Sequence, residues 1–322
     1  MNTSHTPAIT SSSNSDSIFP KIGIVTVTYN SSEVLDDFLR SLDHQTYRNF
    51  ILIAIDNAST DDTLQKLRVR QIPSDIVISN IDNVGIATGN NQGIQLALEA
   101  GCDYVLLLNN DVTFGPELIT RLLQGLIEQR CDMVSPLMYY HDRPDVFWAA
   151  GGYFQPWLGY RCLHYGLDQK DTGQFNSVRR VQHAPACCIL IHKTVFDVVG
   201  LMDDRYFVYN DDTDFTLRAW KHGVSLVCLP DAKLWHKVSS LTRKGSTFFV
   251  RYGTRNRAFF MGKYLGRGAL FAIGLTYKAY FLLRLLLRKD DVALFKLKLS
   301  SWKEGASISK NWLPQSAAKV SS

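Results

Sequence analysis

The sequence predicts an α/β protein: a mostly parallel sheet with helices on both faces. Two observations carry this. Short apolar, β-branched runs alternate with helical segments from Lys21 to Gln129, the rhythm of parallel strands joined by crossover helices. Loops rich in Asp and Asn follow these strands, at the sheet edge where open α/β sheets bind ligands. A third observation, a change in charge and hydropathy, sets the C-terminal part apart.

Ile22–Thr28 is a short buried strand, and Glu33–Leu42 is a helix with Val34, Leu35, Phe38 and Leu42 on one face. Phe50–Ile55 is a second strand, Asp61–Leu67 a short helix and Asp75–Ser79 a third strand. Asn90–Ala100 reads as a helix, Asp103–Leu108 as a fourth strand, and Pro116–Gln129 as a helix with Leu118, Leu122 and Leu126 in line. Asp142–Asn176 is loop-rich; Arg180–His192 is a long strand-like run, Lys193–Val199 a short helix, Asp211–His222 a longer one and Ser225–Pro230 a last strand. A basic region runs to Arg267, an apolar stretch covers Ala269–Leu287, and a polar tail follows.

Composition excludes several classes. With 46% hydrophobic and 20% charged residues, the 322-residue chain is neither disordered nor fibrous. Cysteines stand at 102, 131, 162, 187, 188 and 228 with no C-x-x-C pair, so no disulfide scaffold, zinc knuckle or redox motif is expected, and a reducing compartment is the default. Residues 1–19 lack a basic n-region and an apolar core, so they read as a disordered leader rather than a signal peptide. The net charge of +5 hides a split: −9 over residues 1–230 and +14 over 231–322. Basic and apolar character together point to an anionic membrane surface and away from nucleic acid.

Five motifs follow strands or open helices. Thr28-Tyr29-Asn30 places polar groups at the edge of strand one, or forms a turn capped by Ser31 or Ser32. Asp56 opens Asp56-Asn57-Ala58-Ser59-Thr60-Asp61-Asp62; its carboxylate suits a ribose or nucleobase, and the segment equally suits an Asx-rich loop. Asn83-Val84-Gly85 and Gly89-Asn90-Asn91-Gln92-Gly93 open a helix either toward phosphate or for close packing on the sheet, without the spacing of a dinucleotide fingerprint or a P-loop. Asn109-Asn110-Asp111 ends a buried strand where a divalent cation could bridge a diphosphate, or where a turn simply caps the next helix. Asp211-Asp212-Thr213-Asp214 carries more carboxylates than capping needs, and their repulsion should raise one pKa into the range of a general base. His236 follows the last strand, either as a ligand or as a structural histidine.

Together, in order and spacing, these motifs resemble family 2 glycosyltransferases of the GT-A fold. Ser41-Leu42, Gln45-Thr46-Tyr47, Gly200-Leu201-Met202-Asp203, Arg218 and Gly223 extend the likeness over Ile22 to about Arg257. Within the family the chain is similar to bacterial rhamnosyltransferases, which share the Asn-Asn-Asp form and a pair like Arg255-Asn256. The resemblance implies a nucleotide-binding half at 20–115 and an acceptor half at 116–258 of one catalytic domain, followed by a membrane-associating region at 259–322. Thr28, Tyr29, Asn30, Asp56, Asn83, Gly85, Asn109, Asn110 and, less directly, Arg255 would bind the nucleotide-sugar. Asp111 and His236 would hold Mg²⁺ or Mn²⁺. Asp212 would be the general base, with Asp211 as its neighbour where the family usually has Glu. The implied reaction is inverting transfer from a nucleotide-diphospho-sugar, dTDP-rhamnose or a UDP-sugar, to a lipid-linked saccharide or polysaccharide. A homodimer is compatible with the sequence, although no interface pattern marks one.

Ala269–Leu287 spans roughly 28 Å as a helix. Lys278, Arg284 and Gly274 interrupt it, and Tyr277, Tyr280, Phe281 and the flanking basic residues suit the headgroup interface. An interfacial helix on the cytoplasmic face is expected, rather than a span. Competing readings are a nucleotidyltransferase, which lacks its Gly-rich loop near strand one, and a non-catalytic scaffold, which would not need Asp56, Asp111 and Asp212.

Overall fold

The computed structural model describes residues 19–70, 72, 74–238 and 246–310. The expected leader lies almost wholly outside them. Strands β1 (Ile22–Thr28), β2 (Phe50–Asp56), β3 (Ile76–Ser79) and β4 (Tyr104–Leu108) alternate with helices α1 (Ser32–Asp43), α2 (Thr63–Val69) and α3 (Ile86–Glu99), as the sequence rhythm predicts. They form one parallel half-sheet in the order β3-β2-β1-β4. Helix α3 seats unusually close to β1: a Cβ on Gly89 would lie 2.9 Å from Val27 and one on Gly93 2.3 Å from Val25. The glycines of that motif therefore serve helix–sheet packing.

The other half is mixed. β5 (Val112–Phe114) and α4 (Leu118–Glu128) lead to β6 (Met133–Tyr140). β7 (Phe147–Ala149), β8 (Gly152–Gln155), β9 (Arg161–His164) and β10 (Arg179–Val181) follow, β8 and β9 pairing as a hairpin. After β11 (Cys188–His192) come α5 (Thr194–Val199), α6 (Asp211–Lys221) and β12 (Leu226–His236). The sheet continues β4-β11-β6-β12-β10, with β11 antiparallel to both neighbours. Three expectations change here. The run Arg180–His192 is two strands separated by the segment holding Pro185. The last strand continues past Pro230 to His236, with a register shift between Leu229 and Lys233. β5 and β6, unmarked by the sequence pattern, are strands.

The C-terminal residues form α7 (Thr247–Leu286), broken at Gly266 (φ 81°), and α8 (Val292–Lys310). The expected polar tail is therefore helical through Lys310. The boundary expected at 258/259 falls inside α7, whose Ala258, Phe259, Phe260 and Met261 are buried. A charged lock joins α7 to α6: Lys263 Nζ reaches Asp203 (2.8 Å) and Asp214 (2.7 Å), Tyr264 OH donates to Asp214 (2.8 Å), and Arg218 Nε donates to the other Asp214 oxygen (2.9 Å). Removing one member of a buried pair strands the others. Asp214→Ala is expected to lower stability by on the order of 3 kcal/mol, measured by urea denaturation. α8 returns along α7, with Trp302 stacked on Tyr277 at 4.4 Å. Arg284 is paired with Asp290 at 2.9 Å, and on the outer face Phe271, Leu275, Leu282, Leu283 and Leu286 are exposed together with Lys278.

Candidate functional site

The carboxyl ends of β1, β2 and β4 form a cross-linked edge. Asp56 is fully buried; Thr28 Oγ1 donates to it at 2.9 Å and the Ser59 backbone N–H at 3.0 Å. Asn30 Oδ1 accepts from Thr60 N (2.8 Å), and Asn30 N donates to Ser59 Oγ (2.9 Å). Thr28, Asn30 and Asp56 thus hold two loops together, and Tyr29, 44% exposed, is the member of this group that a ligand can reach directly. Asn83 Oδ1 accepts from Gly85 N (3.0 Å). Gly85 has φ +85°, and a Cβ there would lie 2.4 Å from the Phe207 carbonyl oxygen. Only glycine fits both the conformation and the contact. The Ile86 N–H donates to that same carbonyl at 2.7 Å, tying the loop before α3 to the chain entering α6.

Beyond β4, Asn110 Nδ2 donates to Val27 O (2.6 Å) and Asn109 N to Cys187 O (2.9 Å). Both asparagines shape the turn that delivers Asp111. β5 then pairs antiparallel with β12, setting His236 opposite Val112. This register brings His236 Nε2 to 3.1 Å from Asp111 Oδ1. Burial disfavours the charged ring, but Cys187 and the Asp111 carboxylate outweigh it and hold the His236 pKa well above the ordinary imidazole value. A carboxylate beside an imidazole is a donor set that fits Mn²⁺ or Mg²⁺, with phosphate and water completing the shell.

The Trp148 ring packs edge-to-face with His236 and His164, at centroid distances of 4.5 Å and 5.7 Å. Beyond it stands the start of α6. Tyr209 and Asn210 are both left-handed (φ 64° and 65°), and the buried Asn256 of α7 holds this turn by donating to Val208 O (2.6 Å) and Tyr209 O (2.9 Å). Asp211 is buried; burial and the charge of Asp212 push its pKa up to about 8. Asp212 is more open and accepts from Thr213 N at 2.6 Å. The three carboxylates therefore divide: Asp214 locks α7; the raised pKa that the sequence pattern leads one to expect of a base falls on the buried Asp211; and Asp212 is the one of the three that is not buried. Arg255, expected near phosphate, instead bonds Glu304 (2.8 Å) and Arg205 O (2.9 Å), so its partners are internal.

The sequence profile of glycosyl transferase family 2 matches residues 23–200. The chain belongs to this family. It is similar to the N-acetylglucosaminyl-diphospho-decaprenol L-rhamnosyltransferase of Mycobacterium tuberculosis, 27% identical over 76% of this chain and 85% of the relative. It is also similar to the dTDP-rhamnosyl transferase RfbF of Shigella flexneri, 26% identical over 68% of this chain and 70% of the relative. In fold it matches the mannosyltransferase PcManGT of Pyrobaculum calidifontis, solved with GDP-Man and Mn²⁺, with a TM-score of 0.54 and 15% identity over 92% of this chain and 77% of the other. It also matches GalNAc-T7, solved with UDP, GalNAc and Mn²⁺, with a TM-score of 0.57 and 15% identity over 74% of this chain; it spans about half (48%) of that protein. The expected GT-A fold is thereby met.

In this glycosyltransferase the raised Asp211 pKa has a thermodynamic consequence. A carboxyl whose folded pKa exceeds its unfolded value contributes stability fully below pH 4, which is lost as pH rises through about 8. Asn cannot ionise. Asp211→Asn is therefore expected to be more stable than wild type at pH 9, by on the order of 2 kcal/mol, with the gain shrinking toward pH 5. Thermal melts at the two pH values measure it. Trp148, Cys187, Cys162, His164 and His183 also adjoin these groups, and the sequence marks them only by the Cys162-x-His164 spacing.

Proposed function

We propose that this glycosyltransferase moves rhamnose from dTDP-rhamnose to a lipid-linked saccharide with inversion, at the cytoplasmic face of a membrane. The observation that carries the reading is the pairing of Asp111 with His236 against Trp148, together with the more open Asp212, whose charge acts on His164, the other ring against Trp148. The two functions needed for direct displacement, holding a departing diphosphate and accepting a proton, are so divided between two groups of side chains. The named activities of the two rhamnosyltransferase relatives support the donor and the acceptor class.

Tyr29 contacts the nucleotide, in loops kept rigid by Asp56, Asn83 and Gly85. Asp111 and His236 would hold Mg²⁺ or Mn²⁺, which would supply Lewis-acid stabilisation of the diphosphate. The acceptor oxygen attacks the anomeric carbon and the bond to the diphosphate oxygen breaks. Asp212 takes the acceptor's proton. One displacement inverts the centre. The apolar outer face of α7, with Phe271, Leu275 and Leu282 exposed, rests on the membrane beside the lipid carrier, aided by the positive charge of residues 231–322.

Calorimetry with dTDP, UDP and GDP, with and without Mn²⁺, tests the donor. Metal-dependent binding of dTDP is expected, followed by turnover of dTDP-rhamnose. Preference for UDP or GDP would redirect the assignment to another sugar. Flotation with anionic vesicles tests the membrane surface: wild type should float, and a Phe271→Ser, Leu275→Ser, Leu282→Ser triple variant should not.

A further inference from the structure

We propose that Cys162, His164 and His183 form a zinc-binding site, separate from Asp111 and His236 and set behind the start of α6. Cys162 and His164 are two apart on β9, so strand alternation puts both side chains on one face. His183 arrives from the segment after β10. The link between them is Gly152, which pairs with His164 in the β8–β9 hairpin and bridges to His183 on its other side. Gly152 does not have a left-handed φ, so its backbone does not call for glycine. Space does: a Cβ there would lie 3.2 Å from His183 Cδ2 and 2.6 Å from Leu163 O. With no side chain in the way, the two imidazoles stack at 5.4 Å. One donor atom from each of the three residues lies within 4.8 Å of the others. Tetrahedral zinc sets such donors about 3.5 Å apart, so closure needs movements of about 1 Å.

Hydrogen-bond polarity readies the ring. The Thr216 hydroxyl spends its one proton on the Asp212 carbonyl (2.7 Å), so at 2.8 Å it must accept from His183 Nδ1. The neutral ring then carries its lone pair on Nε2, the arrangement that outer hydrogen bonds impose on metal-ligating histidines. His164 Nδ1 is buried with no hydrogen-bond partner among the described residues, a cost that ligation would remove. All six cysteines are free. One thiolate and two imidazoles select Zn²⁺ over Mg²⁺ or Mn²⁺; water would take the fourth position. Trp148, touching both His236 and His164, separates this site from the oxygen-rich one.

Co²⁺ titration of the chelator-stripped full-length protein tests the site. One equivalent is expected to give a thiolate-to-cobalt charge-transfer band and the intense visible bands of four-coordinate Co²⁺, and one equivalent of Zn²⁺ should erase both. The bands should persist in Asp111→Asn and in Cys187→Ser, and disappear in Cys162→Ser. Zn²⁺ should raise the melting temperature of wild type and not of Cys162→Ser. If Cys162→Ser does not fold, His183→Gln serves instead, with four-coordinate intensity lost. Absence of the charge-transfer band in wild type overturns the proposal, as does its survival in Cys162→Ser or its loss in Cys187→Ser.

Discussion

Replacing Asp212 with Asn is expected to lower kcat by on the order of 10²–10⁴-fold while leaving the affinity for nucleoside diphosphate unchanged. The start of α6 decides this. Three carboxylates occur in four positions, and only one is suited to accept a proton. Asp214 is fully buried and bound by Lys263, Tyr264 and Arg218. Asp211 is buried and, with its pKa pushed up to about 8, already carries a proton at neutral pH. Asp212 is open enough to meet a hydroxyl, and one of its oxygens is oriented by the Thr213 N–H. Asn keeps the size and the ability to accept that bond but cannot take the acceptor's proton. The loss should therefore fall on kcat and leave nucleotide binding untouched. Steady-state kinetics together with calorimetry separate the two. An Asp212→Asn enzyme with near-wild-type kcat, or an Asp211→Asn enzyme that loses as much, would move the base to another residue.

Much of this arrangement is legible in the sequence, and the exceptions have physical reasons. β1, β2 and β4 announce themselves because strands buried on both faces read as apolar runs; β3, half-buried at the sheet edge, still shows as a short β-branched run. β6 does not, because Pro136 interrupts it, and proline in a strand argues against one. The structure tolerates it next to an irregularity: Pro136 pairs with Leu229 just where the β12 register shifts. β5 is three residues long, too short for any period. α8 was readable: Phe295, Leu299, Trp302 and Ala306 recur at helical spacing, and all pack against α7. Interspersed Lys and Ser made the segment look like a tail. At the site, Asp111, His236 and the Asp211–Asp214 cluster stand out because each ends a strand or opens a helix. The register of β5 on β12, which makes Asp111 and His236 a pair, is a tertiary fact. The Cys162, His164 and His183 cluster is another, since a glycine on the strand between them brings the ligands together. Arg255 shows the opposite limit: motif likeness points to phosphate, while its partners are Glu304, brought by packing of α8 on α7, and the Arg205 carbonyl in the segment between α5 and α6.

Asp111→Asn is expected to weaken Mn²⁺-dependent nucleotide binding by at least about 100-fold, several kcal/mol being typical of a lost metal interaction at a diphosphate, and to flatten the pH dependence of metal affinity. The second effect follows from the His236 ring. Burial alone would keep it neutral; Cys187 and the carboxylate of Asp111 raise its pKa well above the ordinary value. Metal and proton then compete for the same imidazole, and binding must release the proton. Below the raised pKa, apparent Mn²⁺ affinity in wild type should rise about tenfold for each unit of increasing pH. The sign for folding is opposite: a histidine with a raised folded pKa contributes stability fully below its unfolded value and loses it as pH rises through the folded one. Wild type without metal should thus lose stability with rising pH over the interval in which it gains metal affinity. In Asp111→Asn the carboxylate charge that opposes burial is gone, the ring titrates lower, and both slopes should shrink together. Mn²⁺ titrations and thermal melts across pH 6 to 9 measure them on the same samples. A variant that kept the wild-type slope in metal affinity would show that the released proton comes from elsewhere, and His236 would lose its place beside the metal.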